Sequence, residues 1–163
     1  MKKSFKRLFV VSLFAIYFAG APVLAQDDGA RKVVYHADFA DPRRFSAMLT
    51  SINNMVLHYQ NEMIDYDVRI VFVAHGIRFL TSDKLENTPF AEDKTMAERR
   101  ESNTGRLSTL ASLHDVKLEL CDITRTGITL DEARLLDGVA LVPSGVVRIA
   151  ELQSQGFSYI KIE

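Results

Sequence analysis

The chain has 163 residues, 20 basic and 21 acidic, a mean hydropathy of +0.01 and one cysteine. That length holds a single domain with a core of useful size. Beyond residues 1–25 there is no basic tract that would neutralise a phosphate backbone, and the lone Cys121 rules out an internal disulfide framework, so the fold must rest on apolar burial.

The first 25 residues read as a cleavable secretory signal. Lys2, Lys3, Lys6 and Arg7 precede an apolar run from Leu8 to Ala21, and Val23-Leu24-Ala25 supplies small residues for cleavage. The run is shorter than the ~20 residues that span a bilayer. A protein exported to the periplasm, with no membrane segment after cleavage, is therefore expected. The segment contains four of the basic residues and none of the acids, so residues 26–163 form a domain with a net charge of −5.

Val33-Val34-Tyr35-His36-Ala37 predicts a first strand. Asp41-Pro42 suits an N-cap and a first helical position. Phe45, Met48, Leu49, Ile52, Met55, Val56 and Tyr59 then recur at helical steps, giving a long amphipathic helix. Residues 68–74 are nearly all apolar, as in a strand covered on both faces of a parallel sheet. A short helix is expected at 77–81 and a polar loop at 82–94. Thr95-Met96-Ala97-Glu98 has capping-box spacing and predicts a helix start, weakened by Gly105 and resumed by Leu107, Leu110 and Leu113.

Val116 to Cys121 predicts a third strand. Thr129-Leu130-Asp131-Glu132, a second capping-box match, predicts a helix to Leu136. Val139-Ala140-Leu141-Val142 predicts a continuous, buried fourth strand. Pro143-Ser144-Gly145 leads into a helix with Val146, Ile149, Ala150 and Leu152 inward and Ser144 as its cap, stopped at Gly156 before a fifth strand over 157–162. Strands and helices alternate throughout. The expected fold is α/β, a three-layer α/β/α sandwich with a five-stranded, Rossmann-like parallel sheet.

In such sheets sites form beyond the carboxyl ends of the strands. His36, His75 and Cys121 end three successive predicted strands, which places them on one edge. Cys121 is either buried and inert, paired between chains, or chemically used; a thiolate is a nucleophile that can take a second sulfur. His75, before Gly76, either closes a turn or helps an amide face an anion. His36 lies beside Asp38, which serves equally as a cap. Zinc on these three residues lacks ligand spacing, and no metal or cofactor is expected. His58 and His114 read as solvated. Dinucleotide, Walker A and nucleophile-elbow motifs are absent from the sequence.

The C-terminal half carries a resemblance. Cys121 with Thr124, Gly127-Ile128, Leu135-Leu136, Val139 to Val146, and Glu151-Leu152-Gln153 with Gly156-Phe157 and Tyr159-Ile160-Lys161 resemble the DsrE/DsrF-like family, in an exported branch. The first strand, the long helix with Asn54, and Ala74-His75-Gly76 fit it as well. The resemblance implies a homo-oligomer, trimeric or hexameric. It also implies a sulfur-relay protein that holds sulfane sulfur as a persulfide on Cys121, with His75 or His36 tuning it, and that meets a donor or acceptor protein. That reading requires a thiol open to solvent near the two imidazoles. The competing reading is a ligand-binding or assembly module whose cysteine is structural.

Overall fold

The computed structural model describes residues 29–163, so the predicted signal at 1–25 lies outside the described residues. Five parallel strands form one sheet: β1 (Arg31–Ala37), β2 (Tyr66–Phe72), β3 (Lys117–Cys121), β4 (Val139–Val142) and β5 (Ser158–Ile160), in the spatial order β4-β3-β2-β1-β5. Each of the first three crossovers moves one strand further in the same direction. The last returns across the whole sheet to place β5 beside β1. Because parallel crossovers are right-handed, this reversal sends the returning helix to the opposite face.

The two faces follow from side-chain alternation. Val33, Tyr35 and Ala37 of β1, Val68, Ile70 and Phe72 of β2, and Leu118 and Leu120 of β3 enter the larger core. Two helices cover it, α1 (Pro42–Asn61) and α2 (Lys94–Leu113). Phe45 of α1 stacks on Phe79 at 4.0 Å between ring centroids and meets Phe72 edge-on. On the other face Val34 and Val71 meet Ile149 and Leu152 of α4 (Gly145–Ser154), with Phe157 beyond it. A short helix, α3 (Asp122–Gly127), follows β3 directly. No described helix is long and apolar enough to cross a membrane.

Several expectations need correction. β2 starts and ends two residues earlier than the apolar run, because Ala74 turns at φ 48° into a tight helix over Ala74–Phe79. α2 starts at Lys94 under an Asp93 cap, so Thr95 lies inside the helix, and Gly105 does not interrupt it. Thr129 has φ 56° and caps nothing; Asp131 caps a single turn, Glu132–Arg134, instead of a helix to Leu136. β4 is half-exposed because it is a sheet edge. β5 is three residues long. In α4, Ile149 and Leu152 are buried, but Val146 and Ala150 face outward. His114 closes α2 with its Nδ1 buried and unpartnered, not solvated.

Candidate functional site

Alternation along β3 sends Leu118 and Leu120 into the larger core and puts Glu119 and Cys121 on the α4 face. Cys121 is the last residue of β3 and the N-cap of α3. Above it sits the first residue of α4, Gly145. A Cβ built on Gly145 would lie 2.5 Å from Val73 Cγ2 and 3.0 Å from Cys121 Cβ, so only glycine lets α4 come this close. Two helix starts therefore converge on one sulfur. At α4 the Ser144 side chain makes no capping hydrogen bond, contrary to the expected role, and the first-turn amides stay available.

The electrostatics of the sulfur follow from that convergence. Burial pushes the Cys121 thiol up, but the backbone N–H groups of Gly145, Thr124 and Ile123 and the Thr124 hydroxyl outweigh it, leaving the pKa below the ordinary 9.0. The thiol closes no capping hydrogen bond at α3. The Thr124 hydroxyl is itself oriented: its oxygen accepts the Ala74 N–H at 3.0 Å, which leaves its hydrogen for the sulfur.

The cysteine is 5% exposed, so the expectation of a thiol open to solvent is not met. The histidines stand apart from it. The register pairs His36 with Val71 and Val71 with Glu119. His36 thus shares the α4 face with Cys121 but lies two strands across and two residues down, roughly 12 Å away between backbones by ordinary strand spacing. β1 and β3 are separated by β2, so the shared edge does not by itself bring their side chains together.

The His36 ring belongs to another cluster. Its Nδ1 is 3.0 Å from the Tyr159 hydroxyl, its Nε2 is 3.9 Å from Asp38, and Lys161 binds Asp38 at 2.9 Å. Burial holds the His36 pKa below 6.5, against the pull of Asp38. The His75 ring turns edge-on to Phe90, 5.2 Å between centroids. Neither imidazole is among the groups that set the Cys121 thiol. Among the described residues no set of three or more His, Cys, Asp or Glu is placed to hold a metal.

Sequence reasoning missed a buried ion network beneath the cysteine. Glu119, 5% exposed, receives Arg148 Nε at 2.7 Å and Nη2 at 2.9 Å, and Arg69 Nη1 at 2.9 Å. Asp67 holds the far side of Arg69. The available signal was a lone Arg69 in the otherwise apolar run 68–74 and an opposite charge, Glu119, on the next strand. Both guanidiniums hold the Glu119 carboxyl below its ordinary range despite burial.

Comparison with known proteins adds a family and a fold. The model of the DsrE/DsrF-like family matches residues 33–162. A solved protein of unknown function from Methanobacterium thermoautotrophicum is 23% identical, covers 80% of this chain and 98% of its own, and superposes with a TM-score of 0.61. The ychN protein from E. coli is 17% identical, covers 81% of this chain and 99% of its own, with a TM-score of 0.50. At these identities both speak to fold alone. Among curated proteins none matches the chain.

Proposed function

Since the chain belongs to the DsrE/DsrF-like family, we propose that it is a sulfur carrier of the sulfur-relay kind, exported from the cytoplasm, which holds sulfane sulfur as a persulfide on Cys121. The observation that carries this reading is the place of Cys121 at the end of β3, at the N-cap of α3 and against the first residue of α4, where nearby amides and the Thr124 hydroxyl favour its thiolate. The thiolate attacks the outer sulfur of a persulfide or polysulfide donor. A Cys121 sulfur–sulfur bond forms, the donor's sulfur–sulfur bond breaks, and the donor leaves as its thiolate. The transferred sulfur arrives with its proton, which the more acidic new persulfide releases to solvent, so the protein ends with the charge on the terminal sulfur. Handing that sulfur to an acceptor thiolate reverses the exchange, so no external oxidant is needed.

His36 and His75 share the sheet edge with Cys121 but are engaged with Tyr159 and Asp38 and with Phe90, so this reading gives the chemistry to Cys121 without them. Export rests on the charged, apolar and small-residue order of residues 1–25.

Mass spectrometry of the native protein after exposure to polysulfide tests the proposal. The wild type is expected to gain about 32 Da, the mass of one sulfur, removable by a dithiol. Cys121→Ser is expected to gain nothing. An equal gain in the serine variant, or none in the wild type, overturns the reading.

The 5% exposure of Cys121 favours one alternative, an assembly module with a structural cysteine. Maleimide labelling of the native protein separates the two: a thiol that reacts only in denaturant belongs to the assembly module.

A further inference from the structure

Glu119 lies two residues before Cys121 on the same face of β3, and Arg148 lies one helical turn after Gly145 on α4. The two side chains are joined by a two-bond fork, Arg148 Nε to Oε2 at 2.7 Å and Nη2 to Oε1 at 2.9 Å. The other flank of the carboxylate is braced by Arg69 from β2, which Asp67 grips with two bonds and whose guanidinium sits 5.2 Å from the centre of the Phe157 ring beyond α4. Three elements thus meet on one carboxylate, directly beneath the turn that brings α4 to the sulfur.

A buried ion pair adds little net stability over apolar side chains of the same volume, but it holds a defined geometry. Geometry is what this contact needs. Ser144 does not tie down the start of α4, and the 2.5 Å and 3.0 Å approaches of a Cβ at Gly145 show how closely the helix sits. We propose that Glu119 is a positioning residue for Cys121: by gripping Arg148 it holds the first residue of α4, Gly145, packed against the cysteine. This rests on Cys121 being the working group, as proposed above. Other charges around this face are already paired, Asp122 with Arg125 on α3 at 2.7 Å and Asp67 with Arg69 on β2 at 2.6 Å.

The sign of the effect separates positioning from simple electrostatics. Removing the negative charge of Glu119, two residues from the cysteine, leaves Arg69 on Asp67 at 2.6 Å and Arg148 near Glu151 at 3.9 Å, and the loss of that negative charge alone would favour the thiolate further. Loss of positioning acts the other way. The test is titration of the thiolate by its ultraviolet absorbance, with Cys121→Ser as the blank; the chain's single cysteine makes the difference signal unambiguous.

In Glu119→Gln the midpoint is expected to rise by about one pH unit, the scale of a weakened hydrogen bond to a charged acceptor. Arg148→Lys keeps the charge but loses the fork, so it is expected to rise by a smaller step and remains informative if Glu119→Gln does not fold. An unmoved or lowered midpoint in a folded variant overturns the proposal. So does a wild-type midpoint at the ordinary thiol value, which would leave nothing to position. A low wild-type midpoint that rises in the variants, with no sulfur uptake by the wild type, would overturn the carrier reading and leave the positioning role standing.

Discussion

At Thr124 one hydroxyl serves two neighbours. It accepts the Ala74 N–H, and it is among the groups that lower the pKa of Cys121. Ala74 adopts φ 48°, a region that costs a residue with a Cβ about 1 kcal/mol or more. Two residues on, a Cβ at Gly76 would lie 2.1 Å from the Ala37 carbonyl oxygen, so glycine is required where the turn crosses β1. The sequence offered Cys121, Thr124 and Gly145 as part of a family pattern. It did not reveal that the cysteine's partners are amides and a hydroxyl, because those contacts depend on the approach of α4 from the far end of the chain. His36 illustrates the same limit: its place at a strand end was legible, its partners were not. Its neighbourhood makes a prediction. The folded state lowers the His36 pKa, through burial first, so just below pH 6.5 the unfolded chain binds more protons than the folded one. Stability is therefore expected to be highest above that value and to fall as the pH drops through the window between 6.5 and the folded pKa. Urea midpoints measured on both sides of the window check this. In His36→Gln the dependence within the window should flatten, and an unchanged slope would assign it to other groups. Asp38 and Glu119, whose pKa values are also depressed, lose their contributions only at lower pH, in the carboxylate range.

At the scale of elements, α2 shows how a correct motif can point to the wrong residue. Thr95 and Glu98 have capping-box spacing, yet Asp93 is the cap, accepting the Met96 N–H at 2.9 Å. Tertiary structure decides between them. The Arg78 side chain, 5% exposed, places Nη2 2.6 Å from Asp93 Oδ2 and donates Nη1 to the Ala40 carbonyl. Asp93 thus joins the start of α2 to a buried guanidinium that no local pattern could announce. Asp93→Ala removes both connections. The cap is worth about 1 kcal/mol, and stranding a buried charge costs roughly 3 kcal/mol, reduced here because water reaches Asp93. A loss of about 2–4 kcal/mol in chemical denaturation is expected on these two grounds. Asp93→Ser, which restores a cap but not the ion pair, is expected to recover only about 1 kcal/mol. Full recovery by serine would show that Arg78 needs no counter-charge. α3 escaped prediction for a related reason: six residues carry too little periodicity to register, and none of them is buried.

The architecture of the whole molecule was legible because alternation of strand and helix, together with right-handed crossover, leaves few topologies open. Strand order was not. Nothing in the apolar run of β4 tells an edge from a centre, and Val139–Val142 read as buried although it closes the sheet on one side. That misreading and the outward turn of Val146 have a common consequence. Val146 is 61% exposed, Val147 53% and Ile123 63%, and all three belong to the first turns of the helices that meet at Cys121. Exposed large apolar side chains also occur at the far ends of α1 and α2, Met63 and Leu113, but these three flank the cysteine, and exposed apolar patches commonly mark surfaces of association. If the homo-oligomer that the family resemblance implies forms through this surface, Cys121 lies at or near the subunit contact. Sedimentation of the protein without its first 25 residues is expected to show a discrete multimer, a trimer or a hexamer. Val146→Glu places a charge where a partner would desolvate it and is expected to yield monomers with an unchanged far-ultraviolet spectrum. A monomeric wild type would remove the assembly altogether. A multimer that Val146→Glu leaves intact would move the contact elsewhere and free this apolar rim for a donor or acceptor protein.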